Sequence, residues 1–495
     1  MTIPLNSAAL AHLPPRVDGP AYDRATLTGG ILHIGVGNFH RAHMAVYLDR
    51  LFALGQGHDW AIIGAGVRAG DAAMRDRLMA QDWLCTVVEL DPAGLSARVV
   101  GSMIDFLPVD GPAIIARMTD PAIRIVSLTV TEGGYFIDAK TDGFDTNHAD
   151  IAHDAAHPDA PQTAFGMILA ALRARRDAGT APFTVLSCDN LPENGHVTQR
   201  TVTGLAALSD PDFADWVADN VAFPNSMVDC ITPATSDRER QMVADKFGLI
   251  DAAPVACEPF RQWVLEDHFP TGRPALEAVG AQFVPNVAQF ELMKLRILNG
   301  GHAAIAYSGA LLGHHFVHDA MADPRISSWL DHLTRTEIMP TLTPIPGVSY
   351  DAYRAKVAER FSNPEVGDTI PRLCLDGSNR QPKFILPVLR DALAKNSPYQ
   401  GLCLELALWC RYCAGTDEAG NPIPPNDDNA VDLKVRALAA RNDPSAFLSN
   451  TVIFGDLGSD AHFAADARFA SAFGDHLQSL WTRGVTATLA DYVKG

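Results

Sequence analysis

One stretch combines residue types that could remove a proton from a hydroxyl group: residues 291–302, Glu-Leu-Met-Lys-Leu-Arg-Ile-Leu-Asn-Gly-Gly-His. Lys294 lies in an apolar helical pattern that continues to Asn299 and His302. At about 100° per residue, Lys294 and Asn299 would lie roughly 80° and 60° from His302, so that all three could face one cavity. Apolar neighbours would desolvate Lys294 and lower its pKa toward that of a base at neutral pH. The alternative is an exposed or snorkelling lysine.

A second pattern with possible chemistry is the glycine turn at 35–40, Gly-Val-Gly-Asn-Phe-His. Gly35 would permit a tight turn after a strand, and Gly37 would let the backbone approach phosphates at a helix N-terminus. The third glycine of the usual dinucleotide fingerprint is absent, and His40 takes its place. The turn therefore indicates dinucleotide binding without establishing it.

Two polar residues fit the same arrangement. Asp71 is the nearest candidate for the acid that binds the adenosine ribose, and it would favour NAD over NADP, although Arg68 could weaken that preference. Its alternative role is a helix N-cap. Asn190 follows the strand pattern 183–187, where its carboxamide could donate a hydrogen bond to an alkoxide or a carbonyl oxygen. Its alternative is a turn residue before Pro192.

The elements that would carry these residues change character along the chain. The first part alternates short β-branched runs with helical patterns, which predicts βαβ units and a mainly parallel sheet. Strands are expected at 31–34, 60–67, 123–130 and 183–187, and helices at 40–54, 71–81 and 162–178. The later patterns are helical, at 288–313, 326–339, 383–395 and 401–414. We therefore predict an α/β protein with an N-terminal Rossmann-like, NAD-binding domain over 1–285 and a mostly α-helical substrate and catalytic domain over 286–495. The boundary is hard to place within 222–285.

Composition limits the class of protein. Of 495 residues, 47% are apolar and 20% are charged, as in ordinary globular proteins. The net charge is −19, from 39 basic and 58 acidic residues, and no basic run is present. This acidic excess argues against a nucleic-acid or membrane partner. The sequence starts without a signal-peptide pattern, and no apolar run reaches about 18 residues. We expect a cytoplasmic protein whose partner is a small molecule.

Cysteine and histidine patterns give little support for a metal site. The eight cysteines are too sparse for a disulfide scaffold, and Cys410 and Cys413 form a lone CxxC in a helical stretch. His314 and His318, with His315 between them, could share a helix face, but no acidic ligand stands at a matching offset. We therefore predict no metal.

Several segments together resemble the polyol-specific long-chain dehydrogenases of the mannitol dehydrogenase family. They are HIGVGNFHRAH (33–43), IVSLTVTEGGYFID (125–138), FTVLSCDNLPENG (183–195), FPNSMVD (223–229), EPFRQWVLED (258–267), ELMKLRILNGGH (291–302) and the motifs RFSNPEV and DGSNRQPKF within 360–384. They occur in the family's order over nearly the whole chain. The resemblance implies a metal-independent enzyme, a monomer, that uses NAD to oxidise a polyol to a ketose, such as D-mannitol to D-fructose.

The resemblance also implies roles for the residues that match the family's motifs. Lys294 would be the general base for the substrate hydroxyl. Asn190 and Asn299 would stabilise the developing alkoxide. His302 would hydrogen-bond to the reacting oxygen and orient it. Glu291 would relay the proton from the buried base.

Binding roles follow from the same resemblance. Arg372 and Arg380 would bind the substrate. The cofactor site would comprise Gly35, Val36, Gly37, Asn38, Phe39, His40, Arg41, Asp71 and Asp229. The family shares the GxGxFxRxH pattern, so His40 is not a departure from it. Position 230 is a departure, because the family usually has arginine after the signature aspartate and this chain has Cys230. Any ion pair made through that arginine is in doubt.

Three alternatives stay open. A sister activity on D-arabinitol, D-sorbitol or a hexuronate and ketouronate pair would change only the substrate, and a carboxylate would need cations beyond Arg372 and Arg380. A zinc-dependent polyol dehydrogenase is a second alternative. A protein that binds NAD without catalysis is the third, although Lys294, Asn190, Asn299 and His302 are all present.

Overall fold

The chain folds as two compact units, Met1–Ala288 and Gln289–Gly495. The structure, a computed structural model, describes residues 2–138, 141, 143–455 and 466–494. The first unit ends at Ala288, three residues after the boundary at 285 that the sequence predicts. Within these described ranges, no helix is both long enough and apolar enough to cross a membrane.

Short strands alternate with helices in the first unit. The strands are β1 (Ile3–Pro4), β2 (Val17–Asp18), β3 (Gly29–Ile34), β4 (Ala61–Ala65), β5 (Cys85–Glu89), β6 (Ser96–Val100), β7 (Met103–Phe106), β8 (Ile125–Leu128), β9 (Thr184–Ser187), β10 (Ser226–Asp229), β11 (Leu249–Ile250), β12 (Val255–Cys257), β13 (Gln262–Glu266) and β14 (Gln282–Val284). The helices are α1 (Asn38–Ala42), α2 (Met44–Ala53), α3 (Asp71–Met79), α4 (Gly111–Thr119), α5 (Ala149–Ala156), α6 (Ala164–Asp177), α7 (Asn194–Ser209), α8 (Pro211–Asn220) and α9 (Asp237–Phe247).

Five parallel strands form the main sheet, in the order β7-β4-β3-β8-β9. Numbered along the chain, this order is 3-2-1-4-5, which is that of a Rossmann fold. Every residue of β3 is buried, because apolar cores lie on both faces of the sheet. The α2 helix contributes to one core, and α4, α6 and α7 contribute to the other. The strand order reverses between β3 and β8, and such sheets bind ligands at the carboxyl ends of the strands there.

The stretch 222–285 contributes short strands to three smaller sheets. Their orders are β1-β11, β10-β13-β14 and β12-β5-β6-β2. Within this stretch each strand has only two to five residues. An alternating pattern that short is not distinguishable from a loop, which is why the sequence left this region unassigned.

The second unit contains helices and no strand among its described residues. The helices are α10 (Ala288–Met293), α11 (Gly300–Leu311), α12 (Val317–Ala322), α13 (Pro324–Leu333), α14 (Tyr350–Phe361), α15 (Ile370–Cys374), α16 (Gly377–Phe384), α17 (Leu386–Ala394), α18 (Gln400–Cys413), α19 (Ala430–Ala440), α20 (Ser445–Leu448), α21 (Thr451–Phe454) and α22 (Ala467–Lys494). The described part of this unit also contains two π-helical segments, Lys294–Asn299 between α10 and α11 and Thr334–Ile338 after α13. Gly484, with φ of 85°, interrupts α22.

The predicted fold class is confirmed, and one predicted helix of the first unit is corrected. The predicted strands correspond to β3, β4, β8 and β9. The single helix predicted over 40–54 is wrong, because α1 and α2 are separated at His43. His43 is buried, and its Nε2 lies 3.0 Å from the Gln262 carbonyl oxygen. A buried contact of this kind offsets the interruption in helical hydrogen bonding.

Candidate active site

The glycine turn after β3 is pressed against the end of β8. Gly35 has φ of 99°, and a Cβ atom there would lie 2.1 Å from the Thr129 carbonyl oxygen, so only glycine fits. The Thr129 hydroxyl also donates a hydrogen bond to the Gly35 carbonyl oxygen at 2.6 Å. Gly37 differs, because its φ is −84° and a Cβ atom there would have no heavy atom nearer than 3.9 Å. Open space therefore lies at Gly37.

A cavity of about 1360 Å³ opens at these strand ends. Its lining includes the turn and the loop before α3, with Gly35, Val36, Gly37, Arg68 and Asp71. Asp71 is the first residue of α3 and not its N-cap, which is Gly70. The Asp71 Oδ2 accepts a hydrogen bond from the Arg68 N–H at 2.9 Å. At Gly66 a Cβ atom would lie 2.3 Å from the Asp71 Cβ, so a glycine is needed beside this acid. The cavity thus contains both the glycine turn and Asp71, the two features that the sequence predicts for a dinucleotide site.

Other residues of the predicted cofactor motif contact the glycine turn or pack next to it. Arg41 is buried, and its Nε donates to the Gly37 carbonyl oxygen at 3.2 Å, while its Nη2 donates to Asn38 Oδ1 at 2.7 Å. Phe39 stacks on His43, with 4.9 Å between the ring centroids. The Arg41 guanidinium therefore fixes the turn's backbone and the first residue of α1.

His40 is buried against a second histidine. Its ring stacks on His33 with 3.5 Å between the centroids, and the His33 Nε2 lies 3.1 Å from the Gly35 carbonyl oxygen. Burial lowers the pKa of His33 to about 3 and lowers the pKa of His40 well below its ordinary value. Both rings are therefore neutral, and they pack beneath the glycine turn.

Asn190 follows β9, at the sheet edge that carries the glycine turn. It is exposed, and the preceding Asp189 is buried. The Asp189 carboxylate accepts hydrogen bonds from the N–H groups of Val130 and Thr131, each at 2.9 Å, and from the Tyr135 hydroxyl at 2.7 Å. Asp189 thus fixes the end of β8 against the end of β9. This role of Asp189 was not predicted, although an acid two residues after a buried strand was a usable signal.

Asp229 ends β10 and is buried, and Cys230 follows it. A hydrogen bond from the Cys230 thiol lowers the pKa of Cys257. Arg261 donates to the Cys257 sulfur at 3.1 Å and to Glu89 at 2.5 Å. A guanidinium therefore lies beside the two cysteines, although the family's arginine is absent from position 230.

The histidines and cysteines considered as metal ligands have other partners or are buried. His314 Nε2 lies 3.0 Å from Asp323 Oδ2, and His318 lies 3.5 Å from its neighbour Asp319. Burial raises the pKa of both Cys410 and Cys413 well above the ordinary value. Across the described parts of the chain, no group of three or more histidine, cysteine, aspartate or glutamate side chains has the arrangement of a metal site.

Lys294 and Asn299 are the first and last residues of the π-helical segment between α10 and α11. The Gly300 N–H bonds to the Leu295 carbonyl oxygen, five residues earlier. Because hydrogen bonds in such a segment span five residues, Lys294 and Asn299 lie closer to one face than in an α-helix, which would place them roughly 140° apart. The α-helical angle of roughly 80° predicted between Lys294 and His302 is therefore wrong, because the turn contains one additional residue.

Arg296 anchors this turn from its opposite side. The side chain is buried, and its Nη1 donates to Thr341 Oγ1 at 2.6 Å. Its Nη2 forms an ion pair with Asp391 on α17. Charged hydrogen bonds of this kind are stronger than neutral ones. They hold a turn that lacks regular α-helical hydrogen bonds, a role that the sequence analysis did not foresee.

The predicted catalytic residues of this unit are buried together on one helical segment. Lys294, Asn299 and His302 are 7%, 8% and 7% exposed. The Asn299 Oδ1 and His302 Nε2 atoms have no hydrogen-bond partner within the described part of the chain. Native proteins rarely leave such atoms unpaired, so they mark a position for a ligand or water. Glu291, also buried, precedes Lys294 by three residues, about one helical turn.

Phe361 at the end of α14 holds the His302 ring. The rings stack with 4.2 Å between their centroids and 24° between their planes. At Gly301 a Cβ atom would lie 3.3 Å from Phe361 Cε2, so the absence of a side chain gives this ring its space. Gly301, the second residue of the Gly-Gly pair, therefore has a packing reason.

Three arginines surround His302 with positive charge. Burial, followed by the charges of Arg372, Arg380 and Arg360, lowers the pKa of His302 well below its ordinary value. Arg372 is exposed and forms a bidentate ion pair with Asp368. Arg380 donates to a backbone carbonyl group. The structure therefore brings both predicted substrate residues near the neutral His302, and it adds Arg360, which the sequence analysis missed.

Comparison with known proteins decides the family. Residues 29–278 match the model of the mannitol dehydrogenase Rossmann domain, and residues 286–472 match that of the mannitol dehydrogenase C-terminal domain. The chain belongs to the mannitol dehydrogenase family. The predicted enzyme class, an NAD-dependent polyol dehydrogenase, is confirmed.

Relatives and solved structures agree with this membership. The mannitol 2-dehydrogenase of Cereibacter sphaeroides is 59% identical over 479 residues, which are 96% of this chain and 99% of that protein. A ternary complex of Pseudomonas fluorescens mannitol 2-dehydrogenase with NAD and D-mannitol is 42% identical, with a TM-score of 0.87, and covers 99% of this chain and 100% of its own. A D-sorbitol dehydrogenase in substrate-free form is 34% identical, with a TM-score of 0.90, and covers 98% of this chain and 100% of its own.

Gly37→Ala tests the phosphate turn. Because protein atoms leave space for a Cβ there, the variant should unfold at the same denaturant concentration as the wild type. The added methyl group would fill the place of a phosphate, so the dissociation constant for NADH should rise by about tenfold or more, roughly 1.4 kcal/mol. Fluorescence titration with NADH measures this change. Gly35→Ala is the matched control, and we expect it to lose stability. Unchanged NADH affinity in the Gly37 variant would contradict the assignment.

Insertion of one alanine after Leu295 tests the π turn. The turn already contains its additional residue, so a further one would turn Asn299 and His302 away from Lys294 by about 100°. Turnover should fall by about 100-fold or more, the effect expected from losing one alkoxide donor, while far-ultraviolet circular dichroism keeps its helical signal. Leu295→Ala keeps the length and is the control. An insertion variant as active as this control would refute the proposed geometry.

Proposed function

We propose that the enzyme oxidises D-mannitol to D-fructose with NAD, without a metal, and that Lys294 is the general base. The observation that supports this proposal is the π turn, because it brings Lys294 and Asn299, both buried, toward one face of the segment that continues to His302. The named activity of the 59% identical relative supports mannitol as the substrate.

The cofactor roles follow from the cavity of the first unit. The turn at Gly35, Val36 and Gly37 would hold the pyrophosphate, and Asp71 would accept hydrogen bonds from the adenosine ribose. A carboxylate there repels a 2′-phosphate and so favours NAD over NADP. Asp229 would border the nicotinamide, while Asn38, Phe39, His40 and Arg41 maintain the turn. When bound, the nicotinamide ring accepts the hydride from the carbinol carbon.

The proton chemistry belongs to the second unit. Lys294 would take the hydroxyl proton as the hydride leaves, and Glu291 would pass that proton onward. The amides of Asn299 and Asn190 would donate to the developing alkoxide. The neutral His302 would orient the same oxygen. A positioned general base contributes about 10²–10⁴-fold, and each alkoxide donor contributes about 10²–10³-fold.

Arg372 and Arg380 would bind the hydroxyl groups of the polyol. One observation favours a second candidate, because Arg360 adds a third cation near His302, as a hexuronate or ketouronate carboxylate would require. Asp368 offsets the charge of Arg372, which reduces this attraction. D-Sorbitol and D-arabinitol are further alternatives. We also propose a cytoplasmic monomer, which size-exclusion chromatography with light scattering would test for its oligomeric state.

Lys294→Ala tests the base. Turnover should fall by about 10²–10⁴-fold because the hydroxyl proton has no acceptor, and NADH affinity should stay close to that of the wild type. Lys356→Ala, which removes an exposed lysine paired with Glu359, is the matched control and should be fully active. Initial rates and NADH titration provide the two measurements. A Lys294 variant with near-normal turnover would show that the base is another residue.

A substrate panel tests the reaction itself. Initial rates with mannitol, sorbitol, arabinitol and the corresponding ketoses and ketouronates should be highest for mannitol oxidation and fructose reduction, with NAD preferred over NADP. The activity should survive exhaustive chelation. A higher kcat/KM for a hexuronate would support the second candidate, and activity lost on chelation and restored by zinc would exclude the metal-independent mechanism.

A further inference from the structure

Outside the catalytic segment, the second unit buries an acid against an amide. Glu405 on α18 and Gln381 on α16 are both completely buried. The Gln381 Nε2 donates a hydrogen bond to Glu405 Oε1 at 2.7 Å. Gln381 directly follows Arg380, so this contact is made by the residue next to a proposed substrate ligand.

Besides the atoms of this hydrogen bond, Glu405 and Gln381 each have one other buried side-chain polar atom, an oxygen. Glu405 Oε2 and Gln381 Oε1 have no hydrogen-bond partner among the described residues. A buried oxygen without a partner is costly, and an ionised one is costlier still. Two acceptors cannot satisfy each other, but one proton on Glu405 would turn Oε2 into a donor to Gln381 Oε1. A carboxylic acid and a primary amide then form a ring closed by two hydrogen bonds.

The surroundings of Glu405 favour the protonated acid. Burial raises the pKa of Glu405 to about 8, and the hydrogen bond from Gln381 opposes that shift. Tyr307 on α11 faces it, and burial raises the pKa of this phenol far above its ordinary value, so it is neutral. Helices α17, α19 and α22 also pack near α18, and no charged group among their described residues shifts the Glu405 pKa.

The hydrogen bond between Gln381 and Glu405 is one of the contacts that hold helix α16. It contains Pro382, which cannot donate a helical hydrogen bond. Its first residue, Gly377, lies where a Cβ atom would be 2.6 Å from Trp409 Nε1 and 2.7 Å from the Tyr307 hydroxyl. Asp427 holds the next residue, accepting from the Ser378 N–H at 2.8 Å. The bond from Gln381 fixes the same helix beside Arg380.

We propose that Glu405 is protonated in the working enzyme, that it forms a two-hydrogen-bond pair with Gln381, and that this pair positions Arg380 for the substrate. The last part rests on the proposed function, because it assumes that Arg380 binds the polyol. Glu405 is a positioning residue and touches neither substrate nor cofactor. Its ionisation at alkaline pH would break one hydrogen bond, leave a buried charge and loosen α16.

The pH dependence has a definite sign. The folded protein holds this proton up to about pH 8, whereas an ordinary glutamate releases it near 4.5. The stabilisation is therefore complete below pH 4.5 and declines as the pH rises to about 8. Substrate binding, which involves only folded protein, should weaken as the pH passes 8.

Glu405→Gln is the decisive variant, because a second amide keeps both hydrogen bonds and has no proton to lose. At neutral pH it should match the wild type in kcat and in KM for mannitol. Above pH 8 the wild-type KM should rise several-fold relative to that of the variant, with little difference in kcat. The Tm of the variant should exceed the wild-type Tm by a margin that grows with pH. Glu405→Leu, which removes the pair, should raise KM at every pH.

Infrared spectroscopy provides a readout that does not depend on turnover. The wild type should show the carbonyl band of a buried carboxylic acid at neutral pH, lost near pH 8, and Glu405→Gln should lack it. A missing band, or a raised KM of Glu405→Gln at neutral pH, would overturn the protonated pair. A band with identical KM profiles in the variant and the wild type would overturn the positioning of Arg380. If no polyol is turned over, the proposed function fails, and the infrared and Tm measurements still decide the protonation of Glu405.

Discussion

A lysine and an asparagine five positions apart share one helix face only if the turn between them takes an additional residue. The segment Lys294–Asn299 meets this condition as a π turn. Such a turn gives up regular α-helical hydrogen bonds, so tertiary contacts must hold it. Arg296 supplies them on one side through Thr341 and Asp391. The relative position of Lys294 and Asn299, the proposed base and alkoxide donor, follows from this single distortion.

In the described part of the first unit, close packing and hydrogen bonds position the residues at the strand ends, and no distorted helix is involved. At Gly35 there is no room for a side chain, because the Thr129 carbonyl oxygen occupies that space. Asp189, two residues after the end of β9, accepts hydrogen bonds from two N–H groups after β8, so one carboxylate joins two strand ends. Backbone groups held by close packing and hydrogen bonds therefore form this part of the cavity wall.

Much of the fold was readable from the sequence, because long periodic elements and their order determine a Rossmann sheet and a helical second unit. The strands within 222–285 could not be predicted, because each is too short to show a periodic pattern. The π turn was missed because a period of 3.6 was assumed throughout the helix around Lys294. Asp189, Arg296 and Arg360 were missed because their partners are distant in sequence. The resemblance supplied the candidate residues, and it did not predict the Arg261 contact beside Cys230 and Cys257.

The stacked pair of His33 and His40 has a consequence for acid tolerance. Burial holds the pKa of His33 at about 3, whereas an unfolded histidine takes up a proton near 6.5. The unfolded chain therefore binds more protons between these values, and the folded state loses stability as the pH falls through that window. The two uncharged imidazole rings pack against the Gly35 turn. Protonation of either ring at acid pH would therefore disturb the backbone of the proposed cofactor site.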